Sequence, residues 1–521
     1  VSNDQLITIG NKKVSDDDKI GEKPSFNETI CLITPPAVFL LDERVFPHIG
    51  VLKVASNLEK EGYGVDFIDL SGIENYLEMI STYAQGNTKI FGITASTSQI
   101  PAAVKICKEI KKIKPDCKII LGGAHCTLTH TASKREKDKG LHLSDRATKD
   151  TERLLELFDV LVCGDGENAI FEALKIDKGV VDADDRRSPL FVTNEQFSSE
   201  LPLPARHLVD MTTYKYNLEG NNATSLIAQL GCPFHCAFCS GRNSPFLRKI
   251  RKRSSESVLR EIEILHKEYG YTGFMFQDDE LNVNKQMVEL MNMIADYQEK
   301  NGVDFKLRGF IKAELFTDDQ AAAMVRAGFR WLLTGFESGD ERILHNIRKR
   351  ATREDNTRCS GIAKKHGLKV KALMSIGHAG ESEQTVENTK QWLLDIEPED
   401  FDCTIITTYP GSPYFDDAIL LDGHYVYIDP DNSDRLHQAS LDYFTQMDYY
   451  KGDPEDGYVS YVWTDYLSAE KLVKLRNELE KDVRQKLNIP FYSARPVYNE
   501  HSMGQGNQLP KHILKSTNKK K

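Results

Sequence analysis

Gly231-Cys-Pro-Phe-His-Cys-Ala-Phe-Cys-Ser240 sets three thiols, Cys232, Cys236 and Cys239, in the spacing CxxxCxxC. Three thiolates on one short loop can hold three irons of a four-iron cluster and leave the fourth iron open to a ligand that is not protein. A structural zinc asks for a fourth Cys or His at fixed spacing, and the nearby candidate, His235, sits inside the loop. The other cysteines, Cys31, Cys107, Cys117, Cys126, Cys163, Cys359 and Cys403, are scattered as core residues are, which fits a reducing, cytoplasmic compartment. No second cysteine cluster follows residue 240, so one iron-sulfur cluster is expected.

Downstream of the loop, strand and helix alternate six times, with strands expected at 225–230, 273–277, 304–311, 329–335, 368–376 and 401–408. Thr317 and Gln320 form a capping box before the stripe Ala321, Met324 and Val325, and Gly328 closes that helix. Six such units predict a partial (β/α)6 barrel over 225–412, with its chemistry on the carboxyl-end face. The polar motifs fall there: Asp278-Asp279-Glu280, Arg308, Gly335-Phe-Glu337-Ser338, Ile376-Gly377-His378 and Tyr409-Pro410-Gly411.

Upstream, short apolar runs at 30–34, 65–70, 89–94, 118–121 and 160–163 alternate with amphipathic stretches. Val51, Val54, Ala55 and Leu58 mark the first helix, which stops at Gly62. The rhythm predicts an α/β, doubly wound, Rossmann-like domain over 29–175, with a ligand beyond the carboxyl ends of its strands. Those ends carry Thr94, Ser96, Thr97 and Ser98, then Gly122, Gly123 and His125, then Gly164, Asp165, Gly166 and Glu167. Small and glycine-rich ends suit a large ligand. Taken singly, a Gly-Gly pair or a lone histidine is equally a structural feature.

With Phe238 just before the last cysteine, the loop resembles that of the radical S-adenosylmethionine (SAM) superfamily. The upstream sheet, with Phe46-Pro-His-Ile-Gly-Val-Leu, Gly-Gly-x-His and Gly-Asp-Gly-Glu, is similar to the cobalamin-binding domain that precedes the barrel in one large subclass. The resemblance implies three cofactors: a 4Fe-4S cluster on Cys232, Cys236 and Cys239, SAM on its open iron, and cobalamin. It puts Asp278 and Asp279 at the methionyl amine, Glu337 and Ser338 at the ribose or carboxylate, the Ile376-Gly377 backbone at adenine, and Phe238 beside the ligand. Arg308 is assigned to the carboxylate. Around His48 the order Asp42, His48, Gly50 departs from the Asp-x-His-x-x-Gly motif that supplies an axial histidine, so no histidine-ligated cobalt is expected.

Residues 176–224 read as an extended linker, with prolines in Glu200-Leu-Pro-Leu-Pro-Ala-Arg206. Residues 413–494 read as a mainly helical capping region, with the stripe Leu472, Leu475, Leu479 and Val483 and many aromatics, among them Tyr414, Tyr443, Tyr449 and Tyr450. Tyr409, Tyr414 and His378 lie near the expected barrel mouth and are candidates to exchange a proton or hydrogen atom. Residues 1–28 and 495–521 read as mobile ends.

The 521 residues carry a net charge of −11, which argues against a nucleic-acid partner, and no apolar run is long enough for a membrane span. The resemblance implies a low-potential electron donor of the flavodoxin or ferredoxin type and a small-molecule, peptide or protein substrate. It implies a methyltransferase: the deoxyadenosyl radical takes hydrogen from an unactivated carbon, which then receives a methyl group from methylcobalamin. A non-methylating relative that oxidises, cyclises or contracts a ring, an enzyme with a vestigial first domain, and a non-catalytic cobalamin- or metal-responsive binding protein are the alternatives.

Overall fold

The computed structural model describes residues 29–37, 44–138, 145–446, 449 and 458–490. The ends at 1–28 and 495–521, Asp42 and Tyr450 lie outside the described residues.

The upstream alternation folds as a parallel sheet because its apolar runs are buried on both faces. β1 (Thr29–Thr34), β2 (Gly64–Asp69), β3 (Ile90–Thr94), β4 (Lys118–Gly122) and β5 (Val160–Gly164) follow the expected runs closely. A sixth strand, β6 (Gly179–Ala183), stands in the segment read as linker and pairs in parallel with β5, Val162 opposite Val181. The order β2-β1-β3-β4-β5-β6 puts the switch point between β1 and β3, where a doubly wound sheet binds its ligand. Helix Ile49–Lys60 covers one face with Val51, Leu52, Ala55 and Leu58, and Gly62, at φ 90°, turns the chain back.

β7 (Tyr216–Leu218) and β8 (Asn221–Leu226) open the second sheet, so its first parallel strand starts four residues before the expected 225. Two further short strands, β9 (Gln229–Leu230) and β10 (Arg251–Lys252), pair antiparallel and close the cysteine loop at its base. β11 (Gly273–Phe276), β12 (Lys306–Phe310), β13 (Phe329–Glu337), β14 (Lys369–Ile376) and β15 (Asp400–Ile405) complete the order β15-β14-β13-β12-β11-β8-β7. Six members are parallel, as expected for the partial barrel, and β7 adds an antiparallel edge. The capping box at Thr317 is present: its hydroxyl accepts the Gln320 N–H at 3.3 Å. Outward side chains such as Phe274, Phe276, Leu332 and Val370 join the helices in the main core.

The region after the barrel ends in helix Ala469–Leu487, which buries Leu472, Leu479 and Val483. It also contains a four-stranded antiparallel sheet not anticipated from the sequence, β16 (Ile419–Leu421), β17 (His424–Ile428), β18 (Arg435–Gln438) and β19 (Val462–Thr464). This region clasps the first domain. Arg146 lies 3.7 Å from the ring centres of both Phe415 and Tyr425 and donates to the Phe415 carbonyl at 2.8 Å. No helix among the described residues is long and apolar enough to cross a membrane.

Candidate two-cofactor site

The cysteine loop leaves the sheet at Gly231, where φ is 92° and an added Cβ would stand 2.2 Å from the Lys249 carbonyl oxygen. Its backbone is then tied down on three sides. Cys232 N–H donates to the Leu247 carbonyl at 2.9 Å, Ala237 N–H to Ile347 at 2.8 Å, and Tyr414 N–H to the Ala237 carbonyl at 3.2 Å. Arg248 donates to the Pro233 carbonyl at 2.8 Å, and Arg242 to that of His235 at 2.8 Å. Much of the loop's backbone is thus held by protein from outside, while the Phe234 and Gly241 N–H groups lean on the Cys232 and Cys239 sulfurs.

Burial lifts the Cys232 thiol to about 11; loss of water, then the charges of Cys236 and Cys232, push Cys239 to about 12. Thiols this neutral become ligands only by giving their protons up to a metal. Zinc fits poorly. Both ring nitrogens of His235 lie 3.2 Å from Arg248 guanidinium nitrogens, and among the described residues no three His, Cys, Asp or Glu side chains converge on one ion. A four-iron cube takes each thiolate on a different iron, so its ligands need not converge as those of zinc must.

Asp278 and Asp279 hold the entry to this loop. Asp278 Oδ2 accepts the Ala228 N–H at 3.1 Å and Asp279 Oδ2 the Gly231 N–H at 2.9 Å. Asp278 Oδ1 is buried without a partner, and burial pushes that carboxyl up to about 7. Next to them, Glu280 is likewise raised to about 7 by loss of water, against the pull of Lys349 and Lys312. These lysines, with Glu337 and Glu280, are the strongest charges acting on the Cys236 thiol. Buried Lys349 pairs with Glu337 at 3.0 Å, and buried Lys312 with Glu314 at 2.6 Å, over the Phe234 ring at 4.1 Å. The cations and acceptors that a methionyl group asks for therefore meet beside the cysteines.

Glu337 reaches further. Its Oε2 accepts from Ser375 Oγ at 2.9 Å, Ser375 Oγ lies 2.8 Å from His378 Nε2, and His378 Nδ1 lies 3.4 Å from the Tyr414 hydroxyl. Burial holds His378 down at about 4, hence neutral, and its ring centre is 5.5 Å from that of Phe238. Glu337, Arg348 and Arg350 all have positive φ, at 66°, 54° and 64°. Each such residue costs about 1–3 kcal/mol, and this strain flanks the Lys349–Glu337 pair on both sides.

Other sequence-assigned residues sit elsewhere or are already engaged. Arg308 lies deep on the inner sheet face, 3.4 Å from the Tyr216 hydroxyl and against Trp331. Ser338 is buried, with its Oγ 3.0 Å from Thr389 Oγ1 and accepting the Asp340 N–H at 3.1 Å. The Ile376 carbonyl accepts the Ile406 N–H at 3.0 Å, and Gly377 N–H donates to Glu381 at 3.2 Å. Tyr409 stacks on Tyr443 at 6.0 Å in the clasp with the first domain. Lys312 and Lys349 lie outside the strand-end motifs and carry no local signature in the sequence, and Glu280 and Ser375 acquire their place beside the loop only in the fold. Replacing Glu280 by Gln removes a charge without removing any partner's hydrogen bond. SAM affinity is then expected to fall about tenfold, the worth of one charge-assisted hydrogen bond, with iron content unchanged, as read by equilibrium binding on the reconstituted enzyme.

A cavity of about 310 Å³ opens over the strand ends of the first domain. Leu32, Gly92, Ile120 and Val162 form its sheet wall, Val51, Val54 and Ile170 its helix wall, and His48, Lys53 and Glu167 its polar rim. Thr94, Ser96, Gly122, Gly123, Gly164 and Gly166 line it. A Cβ on Gly122 would meet nothing within 4 Å, whereas one on Gly123 or Gly164 would strike backbone at 2.7 or 2.6 Å. Lys53 and Glu167 pair at 2.9 Å. His48 Nδ1 accepts the Val51 N–H at 3.3 Å and so caps the first helix.

Four assigned residues turn away from this cavity. Asp165 is buried against Arg251, His125 packs by Tyr443 and Phe444 with Nδ1 3.1 Å from Thr97 Oγ1, and Ser98 lies 3.1 Å from Ser96 Oγ. Thr97 and Ser98 belong to a short helical turn and His125 to the helix Ala124–Asp138, which carry them off the strand ends. An apolar slot at the low end of ligand volumes (roughly 300–1,000 Å³) takes one flat end of a large cofactor and fits cobalamin. Ile227, Leu230 and Phe246, which flank the cysteine loop, close its far side.

A barrel with a three-cysteine loop, facing a doubly wound domain with a slot at its switch point, defines a two-cofactor radical enzyme. The Radical SAM superfamily model matches residues 226–393 and the B12 binding domain model residues 42–142. An uncharacterised methyltransferase of Pyrococcus horikoshii is 30% identical over 398 residues, covering 75% of this chain and 83% of that one. An anaerobic magnesium-protoporphyrin IX monomethyl ester cyclase of Cereibacter sphaeroides is 24% identical, covering 71% of this chain and 60% of that one. Among solved structures, the radical SAM methyltransferase TsrM of Kitasatospora setae with tryptophan and a SAM analogue bound aligns with a TM-score of 0.62 at 15% identity, covering 92% and 96% of the two chains. The cobalamin-dependent enzyme OxsB aligns at 0.55 with 17% identity, covering 73% and 53%. These two likenesses show the fold. The chain belongs to the cobalamin-dependent radical SAM family and is an enzyme whose cofactors are a 4Fe-4S cluster, SAM and cobalamin.

Proposed function

We propose that this protein methylates an unactivated carbon of a natural-product intermediate or of a peptide or protein residue. The observation that carries this reading is the shared wall: Ile227, Leu230 and Phe246 belong to the strands and loop that bear the cysteines, and they also bound the cobalamin slot. When bound, cluster and SAM supply a radical able to abstract hydrogen, and cobalamin supplies the methyl group.

The chain's own residues do the rest. Cys232, Cys236 and Cys239 hold the cluster; Glu280 and Glu337 take the ammonium of SAM, and Lys349 or Lys312 its carboxylate, in place of Arg308. The Lys349–Glu337 pair and the line Ser375, His378, Tyr414 keep these acceptors fixed, and neutral His378 can pass a proton between Ser375 and Tyr414 without charging the interior. Gly122 and its neighbours give cobalamin its slot. The seven scattered, unpaired cysteines support a reducing cytoplasmic setting, and a flavodoxin- or ferredoxin-type donor would supply the electron.

The test is anaerobic turnover with SAM deuterated in its methyl group. Methylation predicts both S-adenosylhomocysteine and 5′-deoxyadenosine, and label in cobalamin and in product. Deoxyadenosine without S-adenosylhomocysteine or transferred label would overturn it and favour an oxidising or cyclising relative.

A further inference from the structure

Two buried aspartates of the first domain grip the segment that carries the cysteine loop back into the barrel. Asp184, just past β6, accepts at Oδ1 from Ser244 Oγ at 2.8 Å and from the Phe246 N–H at 2.7 Å, while its Oδ2 accepts from Thr131 Oγ1 at 2.5 Å. Asp165, at the end of β5, meets Arg251 Nη1 at 2.6 and 2.5 Å and accepts the Val192 N–H at 2.9 Å. Arg251 also donates to the carbonyls of Phe246 at 3.0 Å and Val192 at 3.2 Å. Asp165, Asp184, Ser244 and Arg251 are all at most 1% exposed.

The gripped segment leads straight to both cofactor sites. The Leu247 carbonyl accepts the Cys232 N–H at 2.9 Å, and Arg251 is paired in register with Leu230 at the mouth of the loop. Phe246 and Leu230 in turn wall the cobalamin cavity. One short chain of hydrogen bonds, Asp184 to Phe246 and then Leu247 to Cys232, therefore runs from the sheet of one cofactor to a ligand of the other. Joining two folded units would not require this: the clasp of Arg146 on Phe415 and Tyr425 already joins them elsewhere, and burying charged groups is expensive. What it adds is a fixed separation, since a buried carboxylate with three partners has one low-energy position.

We infer that Asp184 and Asp165 are positioning residues that set the distance and orientation between the cluster loop and the cobalamin slot. This inference rests on the methyltransfer reading for its catalytic consequence, although its geometry does not.

The full chain, reconstituted with cluster and cob(II)alamin, tests it by two readouts. The first is the magnetic interaction between the reduced cluster and cob(II)alamin, seen as faster electron-spin relaxation of the cobalt signal, which needs no substrate. The second is label transferred per deoxyadenosine formed. Asp184→Ala is expected to keep its iron and cobalamin, to change the relaxation, and to lower transfer per SAM cleaved by roughly 10–100-fold, the cost of a displacement of about 1 Å. Asp184→Asn keeps an oxygen for Ser244 and Phe246 and is expected to restore both. Should Asp184→Ala fail to fold, Ser244→Ala removes one of the two loop-side donors, together with the hydroxyl that accepts the Leu247 N–H at 3.3 Å, and is read in the same way. Unchanged relaxation in a cofactor-replete Asp184→Ala or Ser244→Ala protein overturns the inference. Changed relaxation, in an enzyme that never transfers label even as wild type, would instead retain it and overturn the methyltransfer reading.

Discussion

Cys236→Ala is expected to leave the protein folded, iron-poor and unable to cleave SAM. The loop does not depend on the Cys236 thiol for shape: Gly231, Arg248, Arg242 and the backbone bonds of Cys232 and Ala237 hold it from outside. Losing one thiolate therefore removes a ligand without unfolding the cradle. Changes among groups that only orient ligands already cost 10–100-fold in metal affinity, so loss of a ligand should exceed about 100-fold. Iron analysis, the visible absorption of the cluster and deoxyadenosine formation should fall together, while cobalamin remains bound in its separate slot. Cys359→Ala and Cys403→Ala are the controls. Both thiols are buried in the core, so a modest loss of stability with normal iron is expected. A Cys236→Ala enzyme that retained its cluster would remove the basis for assigning this loop.

Gly122→Leu should do the converse. Gly122 lies at the end of β4 with its missing Cβ directed into open space, in a cavity of about 310 Å³, and needs no left-handed backbone. A leucine there starts from a Cβ with no atom within 4 Å and extends into the slot that a flat cofactor end must enter. We expect cobalamin content to drop more than about 100-fold, since the displaced contacts are not replaced, with cluster content and thermal stability close to wild type. The same change at Gly123 or Gly164 is not equivalent, because positive φ and backbone at 2.7 or 2.6 Å would strain the sheet itself. Absorbance of bound cobalamin and equilibrium binding give the answer. Wild-type affinity in Gly122→Leu would show that the cavity is not the cobalamin slot.

The features legible in the sequence were those with a local signature. The cysteine spacing, the capping box at Thr317 and the apolar runs of the parallel strands each declare themselves within a few residues, and strand-end placement follows from topology. What escaped depends on distant partners. β6 is five residues, GVVDA, whose strand character comes from the open edge of β5 rather than from its own pattern. Strands of three to five residues in β16–β19 are too short for alternation to stand out. Asp165 lies in a Gly-Asp-Gly-Glu motif that reads as ligand-binding, yet its carboxylate answers an arginine 86 positions away. Lys349 is one basic residue among Arg-Lys-Arg until the fold buries it beside Glu337.

β6 also bears on how the first domain can be separated from the rest. A fragment cut at residue 175, where the apolar rhythm ends, would leave the backbone of β5 from Val160 to Gly164 without its neighbour. The bared strand reads Val-Leu-Val-Cys-Gly, uncharged and strongly β-forming, the kind of edge that recruits a second copy of itself. Carrying the cut beyond Asp184 covers that edge, and the difference should be visible as a monomer in place of an aggregating species on gel filtration.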